Sequence, residues 1–269
     1  MSASICEPCE KHGLGIERVR YYPRQLINAA DMTAEQEYFR QKLRRHNRYE
    51  HGWGVTCGLS VKPHNAVDGA PPWQVVVCPG YALGPQGDEI LVPEAVAIDL
   101  ATGAQTPLDP CADVWPCPPT GRMPSRRNPN VYLAIRYAEC DTRPERVHPA
   151  GCGCNEAGCE YSRIRDAFEL GILWELPKSH VDAAKWDSAW TTTVLAWKND
   201  QTPDAAGVPV LRSPLPVPPC PECPSDPWVV LACIRLPDNP TAPITDAAIS
   251  YVGRRVLYSV HALRLFLSA

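Results

Sequence analysis

The sequence predicts an α+β chain that is mainly β: a sandwich or barrel-like sheet, with a basic helix near its N-terminus and an amphipathic helix at its C-terminus. Three observations carry this reading. Thirty prolines in 269 residues argue against a helical bundle and for short strands joined by stiffened loops. From Gly54 onward the apolar pattern has a period near 2, in runs rich in Val and Ile bounded by Pro, Gly and Asp. Helical spacing is confined to a few stretches that lie mostly towards the two ends.

The elements follow in order. Residues 1–30 form an extended arm that carries a C-x2-C pair, Cys6 and Cys9. A basic helix is expected over 31–52, opened by a capping box of Thr33 with Gln36 and closed by Gly52. Its apolar stripe is narrow (Tyr38, Phe39, Leu43 and Tyr49), and Arg40, Lys42, Arg44, Arg45 and Arg48 nearly surround it. Such a helix lies on the surface or pairs with other helices through a seam. A β-domain over 53–176 starts with VTCGLSV, WQVVVC, EILVP and VAIDL, and PGYALGPQGDEILVP reads as a hairpin turning at GPQGD. A Pro- and Cys-rich loop spans 102–129. VYLAIRYA, DAFELGILWEL and WVVLACIRL lack strict alternation, which places them centrally in a sheet covered on both faces. Residues 177–227 are an insertion, helical at HVDAAKWDSAWTTTVLAW and then polyproline-like. In 228–269 a final strand precedes the C-terminal helix, marked by Ile249, Val252, Val256, Val260, Leu263 and Phe266.

Composition excludes several classes. Hydrophobic residues at 45% and charged residues at 21% fit a folded soluble protein. A net charge of −4 supplies no general attraction to nucleic acid or an anionic membrane, and no apolar run reaches the ~20 residues of a membrane span. The segment MSASICEPCEKHG has no secretory pattern, so synthesis in the reducing cytoplasm is expected.

Thirteen cysteines are the strongest chemical signal. In a reducing compartment, clustered thiols more often hold metal than cross-link. Cys152, Cys154 and Cys159 crowd into GCGCNEAGC, where three glycines let the loop wrap an ion. Cys220 and Cys223 form a C-x2-C before a strand, and Cys140 lies upstream. With Cys6 and Cys9 these are the candidate ligands of a structural Zn²⁺. Disulfides formed after export and plain packing cysteines are the competing readings, and Cys57, Cys78 and Cys233 are expected to be buried residues of the strand runs. A catalytic zinc would need an open position with His148 or Glu156 beside it. The deaminase H-x-E pattern and HExxH are both absent, and CPEC runs into a strand rather than a thioredoxin-type helix. No GxSxG, P-loop or GxGxxG in a strand–helix context occurs. The basic helix could grip phosphate, but interleaved Glu35, Glu37 and Glu50 favour an ion-paired face. His46 and His51 serve the helix end rather than a metal.

The segment VRYYPRQLINAADMTAEQEYFRQKLRRHNRYEHGWGVTCGLSV resembles a family of uncharacterised bacterial proteins encoded in phage-tail-like and contractile injection system gene clusters. The residues that carry the resemblance are Tyr21, Tyr22, Gln25, Leu26, Asp31, Glu35, Gln36, His46, Asn47, Arg48, His51, Gly52, Gly54, Val55, Gly58 and Leu59. The hairpin sequence that follows is similar too, so the resemblance covers about the first hundred residues. It implies a structural piece, of adaptor or baseplate type, made in the cytoplasm and built into a particle, with other subunits or further copies of itself as partners. Phe39 and Leu43 would form the interface seam, flanked by Arg40, Arg44, His46 and Arg48. Two rival readings are a zinc-dependent or thiol enzyme around Cys152–Cys159 and a freestanding zinc-stabilised binding module.

Overall fold

A computed structural model describes residues 16–64, 71–106, 129–146, 159–200, 216–218, 220–222 and 224–258, with backbone alone at positions 146, 159 and 200. It divides into two compact units, one of Met1–Gln41 with Leu176–Asp226, the other of Lys42–Glu175 with Pro227–Ala269.

Helix α1 spans Ala29–His46, two residues earlier than expected at its start. The reason is a different capping box. The Asp31 backbone N–H donates to Asn28 Oδ1 at 2.9 Å, and the Asn28 N–H donates back to Asp31 Oδ2 at 3.1 Å. That reciprocal pair satisfies two orphan amides at once. Thr33 instead sits inside the helix and returns its hydroxyl to the Ala29 carbonyl. The last turn opens into a π-helical turn, Asn47–His51, which Gly52 ends at φ 77°.

Two contacts fix this helix end. Arg44 pairs with Asp88, both side chains being nearly buried, and Asn47 Nδ2 donates to the Gly87 carbonyl at 2.9 Å. Gly87 has φ 92°, and a side chain there would overlap the Arg44 carbonyl. The GPQGD turn is therefore shaped to receive the helix end.

The expected hairpin is present as β4 (Gly80–Leu83) and β5 (Glu89–Val92). It completes a three-stranded antiparallel sheet with β1 (Gly54–Gly58) in the order β1-β4-β5. Gly58 and Gly80 lie so close that a Cβ on either would strike the other strand's backbone. A second sheet, in the order β2-β3-β6-β7, joins Val61–Pro63, Gln74–Val77, Val96–Asp99 and Gln105–Thr106. The strands thus divide among open sheets rather than closing one barrel.

The third sheet differs most from expectation. Strands β8 (Asn130–Arg146) and β9 (Cys159–Leu173) are far longer than the apolar runs inside them, and they pair in unbroken register from Tyr132–Leu173 to Arg146–Cys159. Strand β10 (Val229–Arg235) pairs with β8 only over Asn130–Ile135, and β11 (Ile249–Ser250) adds to β10. Strands β8 and β10 are central, as their continuous apolar runs predict, whereas β9 is an edge strand. Val131, Leu133, Ile135, Val229–Ala232 and Ile234 join Val55, Leu59, Val75, Val77, Ile90 and Ile98 in the buried core. Helix α2 (Lys178–Asp200) occupies the stretch expected to be helical within 177–227.

The C-terminal helix expected from Thr245 is not formed over the described residues. Asp246–Ala248 make one 3-10 turn, β11 follows, and residues 254–257 run alongside β1. The Val55 N–H donates to the Arg255 carbonyl at 2.9 Å, and the Leu257 N–H donates to the Val55 carbonyl at 2.8 Å. Arg254 fixes the path by donating to the carbonyls of Leu59 (2.7 Å), Gly58 (2.8 Å) and Leu231 (3.3 Å). Burial lowers its pKa, and the acceptors in these three bonds are neutral carbonyls. Gly253, at φ 87°, permits the turn a helix would not allow. Positions 259–269 lie outside the described residues.

The helix-end contacts make a graded prediction. Gly87→Ala combines positive-φ strain with a backbone clash and is expected to cost about 2–4 kcal/mol. Asn47→Ala strips a buried carbonyl of its donor and should cost about 1–3 kcal/mol. Urea titrations of both variants check the order.

Candidate interface and candidate metal centre

No residue of α1 is buried. Met32, Phe39 and Leu43 are respectively 51%, 61% and 49% exposed, and with Gln36 they recur at intervals of four, three and four. That is the spacing of a coiled-coil seam with one polar position. Met32 was not among the expected residues, although its place one heptad before Phe39 was readable from the sequence. The polar flank is uneven. Arg40 pairs with Glu37 at 3.0 Å. His46 packs edge-on against His51 at 5.1 Å. Arg48 stacks over the Tyr49 ring at 4.8 Å. Arg44, expected to face a partner, is committed to Asp88 within the chain, and its guanidinium lies 6.0 Å from the Tyr137 ring centroid.

Most residues carrying the family resemblance have a structural task. The Tyr21 hydroxyl donates to Glu35, and the Tyr22 N–H donates to Gln25 Oε1 at 3.1 Å. Asp31 caps α1, Asn47 holds Gly87, and Val55 and Leu59 are core residues. Gly54 (φ 141°) admits the Arg255 carbonyl, and Gly58 (φ 62°) admits that of Pro79. The motif reads as a device for joining a helix to a sheet.

The cysteines divide sharply. Cys6, Cys9, Cys152, Cys154 and Cys223 lie outside the described residues, as do His148 and Glu156. Cys159 opens β9 opposite Arg146, and Cys152 and Cys154 fall between β8 and β9 in the sequence. Cys220 carries an exposed free thiol. Cys140 is buried and disulfide-bonded, and none of the free thiols of Cys57, Cys78, Cys220 or Cys233 is its partner. A sulfur so bonded has no thiolate to give a metal, which removes Cys140 from the ligand set in this state. Among the described residues no group of three or more His, Cys, Asp or Glu could hold a metal ion. Cys57, expected to be buried, is exposed because β1 is irregular between Val55 and Cys57. Cys78 and Cys233 are half-buried. Burial raises the Cys233 thiol pKa, against hydrogen bonds to Ser250 and Tyr132 that lower it.

One constellation escaped the sequence reading because its members lie far apart. Asp226 accepts from the Ser179 backbone N–H at 3.0 Å and from the Ser179 hydroxyl at 2.8 Å, with His180 Nδ1 3.4 Å from that hydroxyl. In a nucleophilic triad the acid orients the histidine and the histidine holds the serine. Here the acid holds the serine and an amide of the first turn of α2, as a helix cap does.

Two tyrosines are strongly perturbed. Burial, followed by repulsion from and hydrogen bonding to Glu89, pushes Tyr81 up to about 12. Tyr137 rises further through burial and hydrogen bonds from its hydroxyl to Asp166 (2.7 Å) and Glu139 (2.9 Å). Raised folded-state values mean that stability is fully present below the ordinary tyrosine pKa and is lost as pH climbs from there through the folded values. Urea midpoints should hold up to about pH 10 and then fall steeply towards about pH 12. The Tyr81→Phe/Tyr137→Phe variant should show a shallower fall over that window.

Searches of family models and of curated proteins return no match to this chain.

Proposed function

We propose that the protein is a non-catalytic assembly subunit, an adaptor or baseplate-type component of a phage-tail-like or contractile injection particle, that docks on neighbouring subunits through α1. The observation that carries this reading is an 18-residue helix with no buried residue and an apolar seam open to solvent. Most of a helix's stability in a protein comes from packing its apolar face rather than from intrinsic propensity. The tight seating of the Arg44 end leaves the rest of the seam to be covered by another subunit. The mainly β body, braced by carbonyl-bound Arg254, suits a part that transmits load without deforming.

Within this reading Cys152, Cys154 and Cys159 are candidate thiolate ligands of a structural zinc, and the C-x2-C pairs Cys220 with Cys223 and Cys6 with Cys9 are further candidates. The pairing of Arg146 with Cys159 supports it, because Cys152 and Cys154 fall in the short sequence between these two positions. The disulfide at Cys140 favours a second arrangement, with the clustered cysteines as cross-links in an oxidising medium.

The seam is tested by sedimentation of the full chain. Wild type should exceed the 29.6 kDa of one chain, and Phe39→Asp/Leu43→Asp should sediment as a monomer with its melting temperature within about 3 °C of wild type. A monomeric wild type at every concentration sinks the docking role. The cysteines are tested by native mass spectrometry. Zinc-bound protein should lose about 5 °C or more of melting temperature on chelation. Loss on reduction of metal-free protein instead selects the cross-linked arrangement.

A further inference from the structure

The docking stripe of α1 is open along its whole length. Ala29, Met32, Gln36, Phe39, Leu43 and His46 are all exposed, from the first residue of the helix to its last, whereas Tyr38 and Gln41, on the far side, are partly covered. The six advance in steps of three and four, so they lie one above another on a single face. The stripe reaches Leu43 and His46, beside the Arg44 root, without being closed by the chain's own body. Two identical helices can cover such a stripe in two directions, and Gln36, the one amide in it, tells them apart.

In a parallel, in-register pair each position meets itself. Met32, Phe39 and Leu43 then make three apolar layers, and Gln36 meets Gln36. An amide carries both donors and an acceptor, so the two side chains satisfy each other. An antiparallel pair that matches the whole stripe sets Met32 opposite Leu43, Ala29 opposite His46 and Gln36 opposite Phe39. Each Gln36 amide then faces a ring that offers no comparable hydrogen bond, and an amide buried without a partner is costly. Flanking charge does not decide between them: Glu35 comes alongside Arg40 of the other copy in the first arrangement and alongside Lys42 in the second.

We propose that α1 pairs with α1 of a second copy in parallel and in register, as a two-fold dimer in which the two Gln36 amides bond to each other across the axis. This rests on the docking role of α1 and adds the partner, its direction and its register. The same surface serves both chains, so the contact closes at two copies and does not propagate. Both Arg44–Asp88 roots then lie at one end of the helix pair. A single polar position of this kind lowers the stability of a pair while fixing its alignment.

Sedimentation of the full chain over a concentration series tests it through position 36. Gln36→Lys and Gln36→Glu each set like charges against each other at the axis, and each should weaken association about tenfold or more. An equimolar mixture of the two should recover at least the wild-type association, because mixed pairs bring opposite charges together. In the antiparallel arrangement position 36 faces Phe39, and mixing recovers nothing. Gln36 is exposed, so both variants should keep the wild-type circular dichroism spectrum. A second readout does not depend on charge: Met32→benzoylphenylalanine, mixed with 15N-labelled wild type and illuminated, should cross-link to roughly positions 28–36 of the labelled chain. Wild type that associates through Phe39 and Leu43 while the mixture fails to recover, or that is cross-linked at positions 39–46, overturns the parallel register and leaves the docking role standing. Wild type that is monomeric at every concentration removes both.

Discussion

The junction between the end of α1 and the turn at Gly87 and Asp88 is the constraint on which the entry of the chain into the β body depends. An arginine–aspartate pair shielded from water is strong only when its geometry is held, and here Asn47 and the side-chain-free Gly87 hold it. The π-helical turn adjoins these contacts. Asn47 begins that turn and gives its side-chain amide to the Gly87 carbonyl while its own carbonyl accepts the Gly52 N–H at 2.9 Å, after which Gly52 redirects the chain into β1. A helix with no buried face thus acquires a fixed root.

The strand arrangement answers a different problem, that of supporting long loops with a modest core. Glycine does much of this through close approach: Gly58 against Gly80 and Gly54 against Arg255 bring backbones together where any side chain would separate them. Trp228 lies against Gly171 in the same way, with the Arg136 guanidinium 4.9 Å from its ring. These contacts place rigid backbone under the base of the β8–β9 ribbon, which would be marginal as an isolated hairpin.

Much of the fold was legible in the sequence, for reasons that particular residues show. The turn at GPQGD was readable because its glycines and aspartate have few other uses, and β10 because six consecutive apolar or small residues, Val229–Ile234, fit a covered central strand. The distal halves of β8 and β9 were not. Residues 139–146 and 159–165 are charged on both faces, and alternation cannot be seen where nothing apolar alternates. The C-terminal segment misled in the opposite sense: Ile249, Val252 and Val256 keep helical spacing, yet the tertiary bonds of Arg254 and the turn at Gly253 outweigh a local preference of a few tenths of a kcal/mol per residue. Of the candidate interface, Phe39 and Leu43 were legible from their spacing, whereas the inward turn of Arg44 was not, since its partner lies 44 residues away.

The parallel pairing of β1 with residues 254–257 has a consequence for biogenesis. Val55 receives its outer hydrogen bonds from backbone about two hundred positions further along the polypeptide. During translation the strand adjoining the root of α1 therefore waits, half-paired, until that distant segment clears the ribosome. A chain cut short before it cannot finish this edge, so incomplete products are marked by an unpaired strand before they reach any assembly.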